Sequence, residues 1–438
     1  PWRWWLFALG VVDAWFLRWT MSGMETPLAT AVLLALLWPL VMEPAVREGT
    51  PPRWPRYLAW GVVAGLAALV RPEYLLLAPL ALPLLLLFEY RRADALAGRP
   101  GRVRARPHGP ALAAAAGWLL TAGLWLLSAR LTLGRLTPGT ATAKSYEATF
   151  EVGEILASLL RSLQQLGMTQ AVLWAFFLAL VAFVLAERWR QQRAGEPGEV
   201  APAPTAWQFW RGVTLVLVAL VWATALLGGY AVNRVWTISR YLSPLSPVLL
   251  LMLAVLTYWL LNLACDYRGR PIWSRWVLAT ACGLSLAANL AITGLLVRPH
   301  VRDFSAGVVE CYLEEGVWIG EHSPPGAVIA ALDIGALAYG SDRPVRDLMG
   351  LVSPEIMAVG RQMGFEHMVE SGIWLRGADG RQAPPTWFVD RSVGPPRWDG
   401  RTVRGVTFEL VDTCIIAGVG LRGPQDWTVA TYRLRTGP

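Results

Sequence analysis

The chain has 438 residues, of which 55% are hydrophobic and 16% charged, with 24 tryptophans. Several apolar runs approach the roughly 20 residues that cross a bilayer, which excludes an ordinary soluble enzyme and reads as a polytopic membrane protein. The net charge of +8 is uneven, +12 over residues 1–299 and −4 over residues 300–438. A basic excess of this kind belongs to cytoplasmic loops, and with no nucleic-acid-binding motif beside it, it excludes nucleic acid as the partner.

The first apolar segment runs from Trp4 to Thr20 and carries Asp13 and Arg18. Asp13 is the one acid inside the early spans, and a buried structural role fits it better than catalysis. A polar break, Met21 to Thr26, precedes Pro27, which suits the first turn of a second span over Leu28 to Met42. Tyr57 to Val70 and Tyr74 to Phe88 are apolar arms of 14 and 15 residues separated by Arg71-Pro72-Glu73. Each arm is roughly 21–23 Å long as helix, short of a hydrocarbon core of about 30 Å. Proline disfavours helix in the residue before it and donates no backbone hydrogen bond, so the sequence predicts two short helices joined at Arg71-Pro72-Glu73. An ionisable pair near membrane depth is either a functional site or an ion pair that pins the hairpin.

Further spans are expected at Ala111 to Leu131, Ala171 to Ala186, Val213 to Gly228, Leu242 to Leu263 and Trp276 to Val297. Between the first two, an amphipathic stretch, Ile155 to Leu166, is expected along the membrane interface. A second polar break runs from Tyr230 to Tyr241. The loop Gly134 to Tyr146 holds Lys144, the one lysine of a chain with 38 arginines. Lysine offers a compact, strongly hydrated charge, whereas arginine forks around flat anions, so Lys144 is a candidate phosphate partner at the membrane face. The alternative is an incidental surface lysine.

Four Arg-rich linkers hold 16 basic residues, against 7 on the opposite side. The positive-inside rule therefore puts the Met21–Thr26 break, the Arg71 joint, the Lys144 loop, the Arg234–Arg240 segment and the region after Pro299 on one non-cytoplasmic side. From Val301 onward the pattern predicts a small α/β domain: an amphipathic helix over Ser305 to Glu321, a strand at Ala327 to Ala331, and late strands near Trp387 to Val389, Thr407 to Leu410 and Thr428 to Leu434. Asp333, Asp342 and Asp347 are either chemical acids or solvated strand ends. Cys311 and Cys414 could pair if this domain faces an oxidising compartment. His108, His300, His322 and His367 lack ligand spacing, which argues against a histidine-built metal site. The fold expected is thus an α-helical polytopic module over 1–299, with about nine membrane helices including the short hairpin, followed by a soluble α/β domain over 300–438.

Several stretches stand in a telling order: Ser22-Gly23-Met24-Glu25-Thr26-Pro27-Leu28; Gly65 through Arg71-Pro72-Glu73; Leu136-Thr137-Pro138-Gly139-Thr140 with Ala143-Lys144-Ser145; and Arg240-Tyr241-Leu242. Asp333-Ile334-Gly335-Ala336 and Asp347-Leu348-Met349-Gly350-Leu351 follow. Together they resemble the polyprenyl-phosphate-sugar-dependent membrane glycosyltransferases of the GT-C class, nearest the bacterial arabinofuranosyltransferase-like branch. The resemblance implies a multi-pass protein of the bacterial inner membrane with an extracytoplasmic C-terminal domain. It also implies transfer of a sugar from a polyprenyl-phosphate donor to a glycan or lipid-linked acceptor of the cell envelope.

Two departures stand out. Pro138-Gly139-Thr140 replaces the usual Pro-Asn-Thr, and the family's catalytic acid, in the first outer loop, falls upstream of Pro1. The chain starts without Met, so an upstream piece is expected. In an inverting transfer a carboxylate takes the acceptor's proton and positive charge meets the leaving phosphate. Lys144 is assigned to that phosphate with Arg240 or Arg71 as second cation. Glu25 and Glu73 orient sugar hydroxyls or pair with those arginines, and Tyr146 and Tyr241 flank the sugar or lipid. No cofactor is implied; a divalent metal is left open. The alternatives are a transporter or flippase for a lipid-linked sugar, which favours inverted repeats with broken helices in both halves, and a non-catalytic membrane scaffold.

Overall fold

The computed structural model describes the chain except for residues 1, 21, 23–24, 42–53, 97–107, 135, 137–147, 195–205, 236, 267–270, 354–355, 357–363, 377–382, 422–423 and 437–438. The chain divides into two compact units, with the boundary between Thr293 and Gly294.

The first unit is helical. Among the described residues of the chain, five helices are long and apolar enough to cross a membrane: His108–Thr132, Val152–Arg190, Phe209–Val232, Ser239–Leu261 and Trp276–Glu321, the last running past Thr293. Three shorter apolar helices, Thr26–Leu36, Trp54–Val70 and Pro72–Phe88, lie among them. The first apolar segment is not one helix. Asp13 separates Trp2–Val12 from Ala14–Thr20, and its carboxylate accepts from Phe16 N at 2.9 Å and from Ser246 Oγ at 2.8 Å. An aspartate that bonds the amide three residues on acts as a helix N-cap, so Asp13 starts the second piece, in keeping with a structural role.

The expected interfacial helix over Ile155 to Leu166 is a correction. It is the beginning of a single helix, Val152–Ala194, of 43 residues, about 64 Å long at 1.5 Å per residue. No proline falls within it, and its glycines and polar residues cost less than a break in the backbone hydrogen bonds. Likewise, the helix expected to start near Ser305 is continuous with the preceding span, because the backbone stays helical through Thr293–Val297, Arg298–Val308, Val309–Glu314 and Glu315–Glu321.

The core of this unit is aliphatic and aromatic, with Leu33, Leu36, Leu40, Tyr74, Leu77, Trp222 and Val248 fully buried. Buried indoles still need a hydrogen-bond acceptor. Trp60 donates to Leu36 O at 3.0 Å and Trp222 to Leu77 O at 2.8 Å. The Trp54–Val70 helix lies almost backbone to backbone with His108–Trp118. A Cβ on Gly61 would stand 2.1 Å from Ala114 O, and one on Gly117 2.3 Å from Leu58 O. Gly61 and Gly65 are four apart, the spacing of small residues that lets membrane helices approach closely.

The second unit carries a six-stranded mixed sheet: β1 (Ile329–Ala331), β2 (Val345–Asp347), β3 (Trp387–Val393), β4 (Thr402–Val403), β5 (Val406–Val419) and β6 (Gln425–Thr436), in the order β2-β1-β3-β6-β5-β4. β1 is parallel to both β2 and β3, and the remaining pairs are antiparallel. One face packs on Cys311, Tyr312 and Ile319, while the other holds Trp374, Phe388, Trp398, Phe408 and Tyr432. Cys311 and Cys414 are disulfide-bonded, with Cα atoms 5.3 Å apart.

Two of the three aspartates named from the sequence, Asp333 and Asp347, have structural partners. Asp333 pairs with Arg391 at 2.9 Å and accepts from Tyr312 OH at 2.9 Å. Asp347, fully buried, accepts from Met349 N and Val352 N and so shapes the turn after β2. Asp342 sits at a helix C-terminus with φ 50°.

Candidate functional site

The site begins with a backbone constraint. Pro72 forbids helix at the residue before it, and Arg71 is extended, at φ −145° and ψ 119°. Its amide still donates to Ala67 O, so it leaves the Trp54–Val70 helix after completing the last turn. Pro72–Leu76 then forms a 3₁₀ turn, and the chain continues into Leu77–Leu96. This corner places the guanidinium of Arg71 inside the helical unit, with its side chain only 3% exposed.

Two carboxylates and two carbonyls surround that guanidinium. Nη2 donates to Glu25 Oε1 at 2.9 Å and to Arg240 O at 3.3 Å. Nη1 donates to Glu73 Oε1 at 3.4 Å and to Tyr241 O at 3.5 Å. A buried charge is tolerable only when paired and hydrogen-bonded, and this one has both. Glu25 comes from the N-terminus of Thr26–Leu36, where a carboxylate complements the helix dipole. Glu73 comes from the first position after Pro72.

Arg240 and Tyr241 come from the short helix Ser239–Leu242. The Arg240 guanidinium lies 5.1 Å from the Tyr241 ring and donates to its hydroxyl at 3.4 Å. Trp19 holds this segment from the other side, its indole N–H donating to Ser239 Oγ at 2.9 Å.

Glu25, Arg71, Glu73, Arg240 and Tyr241 therefore meet, although the sequence spreads them from residue 25 to residue 241. Lys144 and Tyr146 lie outside the described residues. The geometry also separates the two arginines named from the sequence. Arg71 is buried and already binds four protein acceptors, so it organises the cluster. Arg240 is half-buried, and the side chains of Glu25 and Glu73 are 36% and 29% exposed. These three form the accessible rim.

The sequence reading missed two members. Tyr230 donates to Glu73 Oε1 at 3.0 Å and stands 6.0 Å from the Tyr241 ring. Tyr74 is buried beside Arg71. Tyr230 opens the polar break before Arg240, which was its only signal. Among the described residues no group of three or more His, Cys, Asp or Glu gathers to hold a metal. A cation at Glu25 and Glu73 would compete with Arg71.

Outside the membrane-type helices, the second unit has another buried carboxylate besides Asp347. Asp390 is 2% exposed and accepts from Arg397 Nε and Nη2 and from Trp398 Nε1 at 3.0 Å. Burial nonetheless raises its carboxyl above the usual range, the hydrogen bonds offsetting this only in part.

A family model described as a domain of unknown function (DUF8728) matches residues 305–434, which takes in the sheet of the second unit and none of the helical cluster. No curated protein and no solved structure matches the chain.

Proposed function

We propose that the protein is a membrane glycosyltransferase of the GT-C type, which moves a sugar from a polyprenyl-phosphate donor to an acceptor of the cell envelope. One observation carries the reading: three stretches that resemble the family's motifs, around Glu25, Arg71-Pro72-Glu73 and Arg240-Tyr241, form one hydrogen-bonded cluster. A scaffold has no need for such convergence. In the reaction the acceptor oxygen attacks the anomeric carbon, the bond from that carbon to the phosphate oxygen breaks, and the proton passes to a carboxylate. Glu25 and Glu73 already accept from Arg71, which suits them to orient sugar hydroxyls. Arg240, with Lys144, supplies positive charge for the leaving phosphate. Tyr241 and Tyr146 flank the sugar or lipid.

The same reading takes the shorter helices as further membrane crossings, about nine in all. It places the protein in the bacterial inner membrane with the second unit outside the cytoplasm. The Cys311–Cys414 disulfide supports that side, because such bonds persist in oxidising compartments.

The test uses the full chain, reconstituted with a labelled polyprenyl-phosphate pentose or hexose and cell-envelope glycan. Label is expected to pass to the glycan, and Arg240→Ala and Glu73→Gln are each expected to slow that passage at least about ten-fold, or ~1.4 kcal/mol in the barrier. Label that crosses the bilayer still attached to its lipid would replace this reading with a flippase.

A further inference from the structure

Arg18 is a cation with no counter-charge among the described residues. It is half-buried, in the last turn of the Ala14–Thr20 helix. Other arginines of the helical unit have acceptors: Arg71 has Glu25 and Glu73, Arg234 has Glu154 at 2.7 Å, Arg130 has Gly134 O and Arg211 has Leu40 O. Among the described residues Arg18 has no carboxylate and no carbonyl partner, and no charged side chain acts on it. The end of a helix offers roughly half an elementary negative charge, which compensates it incompletely.

Its position is nevertheless fixed. The guanidinium lies 4.8 Å from the centre of the Trp19 ring, a cation–π arrangement. That ring is itself tied to Ser239 by the indole N–H. An ordered, half-desolvated guanidinium with no counter-charge among the described residues favours an anion beside it. In an apolar helical unit, with a tryptophan of the kind that sits at the membrane–water interface, the anion at hand is a phosphate on a lipid. The planar fork of arginine matches it.

We propose that Arg18, stacked on Trp19, is a docking point for a phosphate-bearing lipid. The phosphate could belong to a bilayer phospholipid or to a polyprenyl monophosphate, and the experiment separates them. The inference rests on charge and geometry and stands apart from sugar transfer.

The test is native mass spectrometry of the full chain in detergent. Polyprenyl monophosphate, phosphatidylglycerol and phosphate-free diacylglycerol are offered at equal concentration. Wild type is expected to retain at least one phosphate lipid over diacylglycerol. Arg18→Gln is expected to lower that retention at least about five-fold, and Arg18→Lys to keep part of it because the charge remains. The phosphate lipid whose retention falls identifies the source. If Arg18→Gln fails to fold, wild type and Arg18→Lys are compared across a salt series, where retention must fall with added salt. Equal retention by wild type and Arg18→Gln, an equal loss of all three lipids, or retention insensitive to salt would overturn the proposal.

Discussion

Glu25 and Arg71, 46 positions apart, meet at 2.9 Å, where one begins a helix and the other ends one. Glu73 and two main-chain carbonyls complete the shell around the same guanidinium. Removing Arg71 strands all four acceptors. Arg71→Ala is expected to destabilise the helical unit by about 3–5 kcal/mol, the usual cost of breaking a buried pair from one side. Arg71→Lys is expected to recover only part of this, since an ammonium cannot reproduce the fork. Thermal unfolding in detergent measures both.

Tyr230→Phe removes a single hydroxyl from Glu73. A hydrogen bond to a charged group is worth about 1.5–3 kcal/mol, so a stability loss in that range is expected. If Glu73 orients the sugar, the variant also transfers more slowly while retaining its donor. A variant as stable as wild type would show that the Tyr230 bond contributes nothing.

Gly61 has no room for a methyl group, because the facing atom is backbone. Gly61→Ala must push the Trp54–Val70 and His108–Trp118 helices apart, at a cost of about 1–3 kcal/mol. Gly153→Ala, with open space around it, is the control and is expected to leave the unfolding temperature near wild type.

The Cys311–Cys414 bond closes a loop with a sequence separation of 103. Loops of this size are stabilised by about 4–5 kcal/mol when cross-linked. The double Cys→Ser variant is expected to lower the unfolding temperature of the second unit, and intact mass before and after reduction reports the bond directly.

Asp390 gives a pH test. Its carboxyl is easier to protonate in the folded state, because burial outweighs the bonds from Arg397 and Trp398. Such a group stabilises the fold fully below its unfolded pKa, about 3.9, and that contribution is lost as pH rises through the raised folded value. Asp390→Asn cannot titrate. The unfolding temperature of wild type minus that of Asp390→Asn is therefore expected to fall as pH rises from about 4 and then level off. A difference that grows with pH would mean that the Arg397 pair outweighs burial.

These particulars show what the sequence exposes and what it hides. The corner at Arg71 was legible because Pro72 acts on its immediate neighbour, and the late strands were legible from their composition. The Val152–Ala194 helix was misread because its polar first third resembles an interfacial helix, while continuity depends on nothing interrupting it. The break at Asp13 needed the capping bond to Phe16 N, and the hydroxyl that fixes that carboxylate, Ser246, is 233 positions away. Tyr230 was hidden for the same reason: no spacing rule links it to Glu73 across 157 positions. The glycine spacing at Gly61 and Gly65 was present in the sequence, but its partner surface at Ala114 was not.

The covalent ring from Cys311 to Cys414 also decides how the second unit would respond to being pulled. A force on the chain ends cannot extend what lies inside the ring, so a separation of 103 residues, about 360 Å of contour at 3.5 Å each, is withheld until the bond is reduced. Outside the ring, residues 294–310 on one side and the segment beyond Cys414, which includes β6, on the other remain free to peel away.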